Sequence, residues 1–583
     1  MRIEIRRMPW LERFRQRLTH FDALPQLVVL GVLSGLSTGL VILLFRLAIE
    51  LPQLWLLPAG ISEHFESLPL WQRFAFPVVG SLLLIGLLYA LPVASRSVGI
   101  PHLMARLNYH QGKLSLTNLI TQFIGGAIAL GSGHSVGREG PAVYLGGSCS
   151  SLIGQWMKLP NNTLRILIGC GTAAAISAVF NTPLAGVIFA MEVVLLEYSI
   201  LGFIPIIVAA VVADVFMQVT LGRAEGLSLP TLPLDMLHDL PLLLILGLGI
   251  GLLAAAFIGT LQQTLRLRRV PLAIRLLFAG FIAGTISMAL PEVMGTGYDS
   301  IEGVFQNPDH LEFLLLLLIC KTLLTPFVIA MGIPGGLIGP SLVIGAVGGA
   351  LLAGTARHLG LDISTDLFAI IGMGSMMGAV LNAPLAALIA LLELTDNSAI
   401  ILPGMIAIVI SNLTLRSLFK RPSAFQAMLQ AQGLDINQAP VAQALSRAAV
   451  GSLMDRDFIS TPGQSTPELL KRLLQSSPRW ILVERQDERA LMPPGDIRSW
   501  LENNIGEKGS GEKDKPATID LMQIPATRQD AINIYSRSTL HEAWELMSAK
   551  GVSALLVVSN QDKPLGVISH RQIEEFYHHR QAL

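Results

Sequence analysis

Across its first 440 positions this chain carries 47 charged residues, about 11%, and those positions are broken into apolar runs of membrane-spanning length. The other 35 of its 82 charged residues fall in the 143 positions from Val441 onward, about 24%. A soluble domain averages roughly 25% charge, and a bilayer core demands about 20 apolar residues per helical crossing. The contrast predicts a polytopic membrane domain followed by a soluble C-terminal domain. The formal net charge is zero, so nothing global points to nucleic acid. Cys149, Cys170 and Cys320 sit in apolar stretches without a CxxC pair and read as buried thiols, not as a disulfide framework or a metal site. Arg2, Arg6, Arg7, Arg13, Arg15 and Arg17 stand against Glu4 and Glu12, with no small-residue cleavage site after them. Residues 1–23 therefore read as a retained cytoplasmic segment.

Several apolar stretches are too short or too glycine-rich to span a bilayer alone. Gly125 to Gly147 holds eight glycines, a proline and internal charge. Non-helical backbone at membrane depth is tolerated only where it is buried in protein or lines a cavity. An internal repeat accompanies it. Asn181–Glu192 reads NTPLAGVIFAME and Asn382–Glu393 reads NAPLAALIALLE, an offset of 201. Gly137–Pro141 (GREGP) and Gly336–Pro340 (GLIGP) match at an offset of 199. Paired Gly/Pro-interrupted segments in two halves point to a transporter whose site lies at the repeat interface. From Val450 onward, the strand-like WILVE (Trp480–Glu484) and ALLVVS (Ala554–Ser559) each follow an amphipathic helix, over Thr466–Gln475 and Thr539–Ala549. Two α/β units joined by a flexible Asn503–Lys515 linker account for the pattern.

GREGP carries the strongest chemical signal. Arg138 and Glu139 are costly at membrane depth and functional by default. The flanking glycines free backbone N–H groups, and Pro141 suits a first helical turn. A helix start favours an anion, so Glu139 reads as a tethered anion competing for those donors, or else as a capping carboxylate paired with Arg138. GLIGP and Ser97–Pro101 (SVGIP) supply two further glycine-lined starts. Glu192 and Glu393 read as structural, and His102 and His134 as polar contacts at helix ends. No zinc-ligand pair or nucleophile constellation appears, which argues against an enzyme.

With these motifs in order, the chain resembles the CLC family of chloride channels and chloride/proton exchangers over roughly residues 24–433. After a linker at 434–449, residues 450–583 resemble a CBS pair, about 450–502 and 516–577. The resemblance implies an all-α membrane domain of two inverted-repeat halves with broken, partly re-entrant helices, plus a cytoplasmic α/β CBS domain. It also implies a homodimer, placed in a bacterial inner membrane with its N-terminus inside, and no required cofactor. Chloride would be held at Ser97, Val98, Gly99 and Ile100, at Gly137, Arg138 and Glu139, at Leu337 and Ile338, and at Phe425, with Glu139 as the gate.

Three departures modify that picture. Val98 replaces the family's serine, Phe425 its tyrosine, and Val193 the inner proton-carrying glutamate usual in the family's exchangers, as in its channel branch. Each lost hydroxyl contact to an anion is worth about 1.5–3 kcal/mol, and a valine carries no proton. The resulting expectation is passive, channel-like conduction gated by Glu139, with exchange by a non-standard proton route as the alternative and a CBS-regulated sensor or enzyme as the distant one. In the CBS pair, Asp496 fits a nucleotide ribose while Gln572 departs from it, leaving either adenine-nucleotide binding or a plain assembly module.

Overall fold

The computed structural model describes residues 24–57, 63–198, 200–222, 236–301, 310–361, 363–434, 445, 448–485, 488–505, 518–559 and 561–581. The expected N-terminal segment 1–23, most of the 434–449 linker and positions 506–515 of the second linker lie outside them. Residues 503–505, placed in that linker from composition, instead finish a helix, Pro494–Ile505.

The chain separates into a helical unit, Leu24–Lys158 with Leu164–Ile436, and a second unit that includes Asn437–Leu583. In the helical unit the elements run α1 (Leu24–Leu56), α2 (Leu70–Ala90), α3 (Ile100–Tyr109), α4 (Leu116–Gly131), α5 (Glu139–Trp156), α6 (Asn161–Phe180), α7 (Pro183–Phe189) and α8 (Ile200–Leu221). After these come α9 (Met236–Leu265), α10 (Leu272–Ala289), α11 (Leu311–Met331), α12 (Ile338–His358), α13 (Thr365–Leu381), α14 (Pro384–Thr395), α15 (Ile401–Leu413) and α16 (Ala424–Gln430). Among the described residues, nine helices are long and apolar enough to cross a membrane. Shorter apolar helices such as α4, α7, α13 and α14 lie between them, matching the interrupted stretches of the sequence.

Burial sorts the spans. Of the apolar window in α6, 83% is inside the protein, and 78% in α12, against 28% in α2. The repeat-bearing helices form the centre, and Val79, Leu82 and Leu83 of α2 face outward, as lipid contact requires. The repeat also recurs in the packing. A Cβ on Gly146 would lie 2.2 Å from the Gly171 carbonyl oxygen, and one on Gly345 would lie 2.2 Å from that of Gly372. Gly146 and Gly345 are 199 apart, Gly171 and Gly372 are 201 apart, so α5 on α6 and α12 on α13 are the same close packing used twice.

In the second unit, β1 (Phe458–Pro462) pairs parallel with β2 (Trp480–Arg485), and β2 antiparallel with β3 (Glu488–Met492). Likewise β4 (Asn533–Tyr535) pairs parallel with β5 (Ala554–Val558), and β5 antiparallel with β6 (Pro564–Ser569). Each parallel pair is bridged by a helix, Pro467–Gln475 or Leu540–Lys550. Thr466 and Thr539 are not the first turns of these helices but their N-caps, each hydroxyl accepting a backbone N–H three residues on. Leu482, Leu491, Ala554, Leu556, Val558 and Val567 form one buried cluster, so the two sheets share an apolar layer.

Candidate functional site

The site begins where two chain segments pass too close for side chains. Gly137 N–H donates to Gly336 O at 2.8 Å, and Gly336 N–H donates back to Gly137 O at 2.8 Å, an isolated antiparallel bridge. A Cβ on Gly140 would lie 2.5 Å from Gly336 Cα, and one on Gly137 would lie 2.2 Å from Glu139 Oε2. Glycine is required at position 140, where the opposing atom is backbone, and at position 137 a side chain would displace the Glu139 carboxylate. The bridge sets the starts of α5 and α12 against each other, at Glu139 and Ile338, so their unpaired first-turn N–H groups and positive dipole ends converge.

Glu139 is fully buried at that point. Its Oε2 accepts the Gly339 N–H at 3.0 Å, and its Oε1 accepts the Tyr298 hydroxyl. The carboxylate is a negative group seated between two helix starts and satisfied by donors from the opposite half. It is not paired with Arg138, whose guanidinium lies over the Tyr298 ring, 5.4 Å from its centroid. Arg138 also lines a small cavity with Arg46, Glu50 and Glu63. Glu63 accepts a hydrogen bond from the Thr296 hydroxyl, and burial raises its pKa, with Arg138 opposing the rise.

The other anticipated residues distribute as follows. Leu337 and Ile338 flank the bridge and are buried, but the amide that reaches Glu139 belongs to Gly339, one position further on. Gly99 has φ +88° and is the N-cap of α3, which starts at Ile100. Asn118 of α4 donates to Ser97 O at 2.9 Å and to Ala94 O at 3.3 Å, tying down that turn. One helical turn on, Gln122 is buried with both amide heteroatoms unpartnered among the described residues, its Oε1 4.0 Å from where a Gly99 Cβ would stand. Val98 is partly buried against the core. Phe425 is 4% exposed on α16, capped by a Ser423–Gln426 capping box. Val193 is buried in the π-helical turn Ala190–Leu195 that continues α7. His102 Nδ1 lies 2.9 Å from the Tyr144 hydroxyl, and His134 Nε2 lies 3.3 Å from Ser81 Oγ.

Glu192 and Glu393 hold the repeat together. Glu192 accepts N–H bonds from Leu385 at 3.3 Å and Ala386 at 2.8 Å, at the start of α14. Glu393 accepts them from Leu184 at 2.9 Å and Ala185 at 2.7 Å, at the start of α7. Each carboxylate caps the other half's helix, with the charge placed where the helix dipole favours it.

In the C-terminal unit, Asp496 Oδ2 accepts the Thr527 N–H at 2.6 Å, and Gln572 Oε1 accepts the Ser569 N–H at 2.8 Å. Asp496, expected at a ribose, and Gln572, which departs from that pattern, each already accept a backbone N–H. Among the described residues no group of three or more His, Cys, Asp or Glu side chains could hold a metal ion.

Two residues escaped the sequence reading. Gly339 was within reach, as the repeat mate of Gly140. Tyr298 was not, because it is 159 positions from Glu139 and its only local sign is the glycine pair in GTGYDS, where Gly295 and Gly297 both have positive φ.

A family model described as voltage gated chloride channel matches residues 80–416, more than half the chain, and a CBS domain model matches residues 522–579. A putative chloride channel protein, ClcB-like, from Ralstonia nicotianae is 31% identical over 403 residues, covering 67% of this chain and 93% of the relative. The H(+)/Cl(-) exchange transporter ClcA of Vibrio cholerae is 30% identical over 391 residues, covering 65% and 83%. The crystal structure of a slow cyanobacterial Cl-/H+ antiporter superposes with a TM-score of 0.62 at 25% identity, covering 71% of this chain and 99% of that one. A eukaryotic CLC transporter shares the fold over 97% of this chain, at a TM-score of 0.56 and 18% identity. With its glycine-bridged helix starts, its spans and these matches taken together, the chain belongs to the CLC family of multi-pass anion-transporting membrane proteins.

Proposed function

We propose that this protein exchanges chloride for protons across the membrane. Glu139 alternates between the anion site, where it sits charged, and a protonated position that lets chloride through. The observation that carries this reading is the seating of the Glu139 carboxylate on N–H and O–H donors between two helix starts, the environment a chloride ion needs. A proton and an anion then compete for one place, which couples their movements. Similarity to proteins named as H(+)/Cl(-) exchangers supports exchange over the passive conduction suggested by Val193. The inner proton route must then bypass position 193. Phe180, Phe189, Ile338 and Leu342 line a small apolar cavity that a transient file of water would use.

Passive conduction is the second reading. It is favoured by the buried, non-titratable Val193 and by the relative named as a putative chloride channel. By the same family relation the working unit is a homodimer in a bacterial inner membrane, with the N-terminus and the C-terminal domain in the cytoplasm. The C-terminal domain, read as a CBS pair at 450–502 and 516–577, is a gating or assembly module. An adenine nucleotide there would share Asp496 with the Thr527 amide.

The test is purified protein in liposomes under a chloride gradient, with chloride efflux and internal pH recorded together. Uphill proton movement in the wild type, abolished in Glu139→Ala while chloride flux persists, supports exchange. Chloride efflux without proton movement establishes the passive reading. No anion flux sinks both.

A further inference from the structure

The hydroxyl that seats Glu139 belongs to a residue outside both repeat motifs, and its surroundings look built for that contact. Gly297, with φ +81°, delivers Tyr298 to the bridge. The Arg138 guanidinium covers one ring face, and Phe180 packs edge-on at 6.2 Å. Gly339 leaves the slot open, since a Cβ there would stand 3.0 and 3.1 Å from the two Glu139 oxygens and 3.1 Å from the Tyr298 hydroxyl oxygen.

We infer that Tyr298 is an anion ligand of the outer site: when the Glu139 carboxylate leaves, the Tyr298 hydroxyl and the Gly339 N–H donate to the chloride that replaces it. The inference deepens the reading of Glu139 as gate and rests on it. A carboxylate oxygen and a halide accept the same hydrogen bonds, so donors fixed in place for one serve the other. Anion discrimination therefore resides at the bridge between α5 and α12. The competing account is that Tyr298 only latches the gate shut.

The two accounts separate once the carboxylate is gone. Chloride binding to purified Glu139→Ala protein is measured by calorimetry, alone and combined with Tyr298→Phe. A ligand role predicts about tenfold weaker chloride binding in the double variant, the value of one hydrogen bond to a charged group. Unchanged affinity overturns the proposal and leaves Tyr298 as a latch. A second measurement is proof against partial misfolding: the ratio of chloride to thiocyanate flux through liposomes, in the same two proteins. Loss of active protein lowers both fluxes together. Loss of a hydroxyl donor lowers the chloride share, because thiocyanate is the weaker hydrogen-bond acceptor, and an unchanged ratio also overturns the proposal. Should Glu139→Ala alone leave wild-type flux, proton coupling and chloride affinity unaltered, the gate reading itself fails, independently of Tyr298.

Discussion

The two repeat pairs in the membrane domain make different uses of one plan. In the NTPLAG and NAPLAA pair both halves keep their glutamate, and Glu192 and Glu393 cap each other's helices almost identically. In the GREGP and GLIGP pair the bridge itself is symmetric, Gly137 to Gly336 in both directions, but Glu139 in one half corresponds to Ile338 in the other. Two carboxylates at that bridge would repel each other in a poorly solvated site. A single one can be seated by the donors of both halves. Symmetry is retained where the fold needs reciprocal caps and broken where a single carboxylate is seated between the two helix starts.

The comparison can be broken in several places. The largest expected effect is from Gly140→Ala, whose Cβ would lie 2.5 Å from the Gly336 Cα, a backbone atom with nowhere to retreat. Overpacking of this kind costs about 3 kcal/mol, and the variant should lose the monodisperse size-exclusion peak of the wild type. A well-folded, wild-type-like Gly140→Ala would show the bridge to be looser than described. Next comes Glu139→Ala, which should abolish proton coupling and spare chloride flux, whereas Glu192→Ala should not convert the protein in that way.

Glu192→Ala and Glu393→Ala should instead destabilise, each by about 2 kcal/mol, since each leaves two helix-start N–H groups without their carboxylate. Thermal unfolding in detergent should give similar losses for the two. A loss confined to one of them would contradict the reciprocity of the caps. Gly339→Ala should act more gently, crowding Glu139 and Tyr298 from 3.0–3.1 Å and raising chloride flux by about threefold, as a strain near 0.7 kcal/mol on the seated gate implies.

A further expected effect concerns a carboxylate that belongs to neither pair. Glu66, in the 3₁₀ turn Phe65–Ser67, has its pKa raised to about 7 by burial and then by the charge of Asp299. Its folded pKa lies above its unfolded one, so the folded state holds the proton more tightly and stability falls as pH rises from about 4.5 to about 7. Glu66→Gln should therefore raise the melting temperature at pH 8 and leave it unchanged at pH 4. An equal shift at both would show that titration of Glu66 is not responsible.

Much of this was legible from one chain because it follows from local composition. The low charge of the first 440 residues dictated membrane helices, since a bilayer offers no partner for exposed polar groups. The 199 and 201 offsets marked the segments that form the bridge and the caps, though not their pairing, and GREGP singled out Glu139 by the cost of a charge at depth. The threonines before the C-terminal helices are visible in the sequence too, but capping places them one step outside the first turn. The choice of Gly339 over Leu337 and Ile338 was hidden, because which amide of a helix start points inward depends on the angle at which the other start meets it.

What the sequence determined by itself is the class of molecule, the duplicated plan and the one carboxylate, Glu139, set at a glycine-rich helix start, all carried by spacing and by the price of charge in an apolar run. Only the tertiary structure decided what holds that carboxylate. Tyr298 reaches Glu139 across 159 residues, Arg138 turns to the tyrosine ring instead of to its neighbour, and Glu192 and Glu393 find their partners in opposite halves. Such contacts depend on how helices from the two halves cross, and no local pattern of residues encodes a crossing.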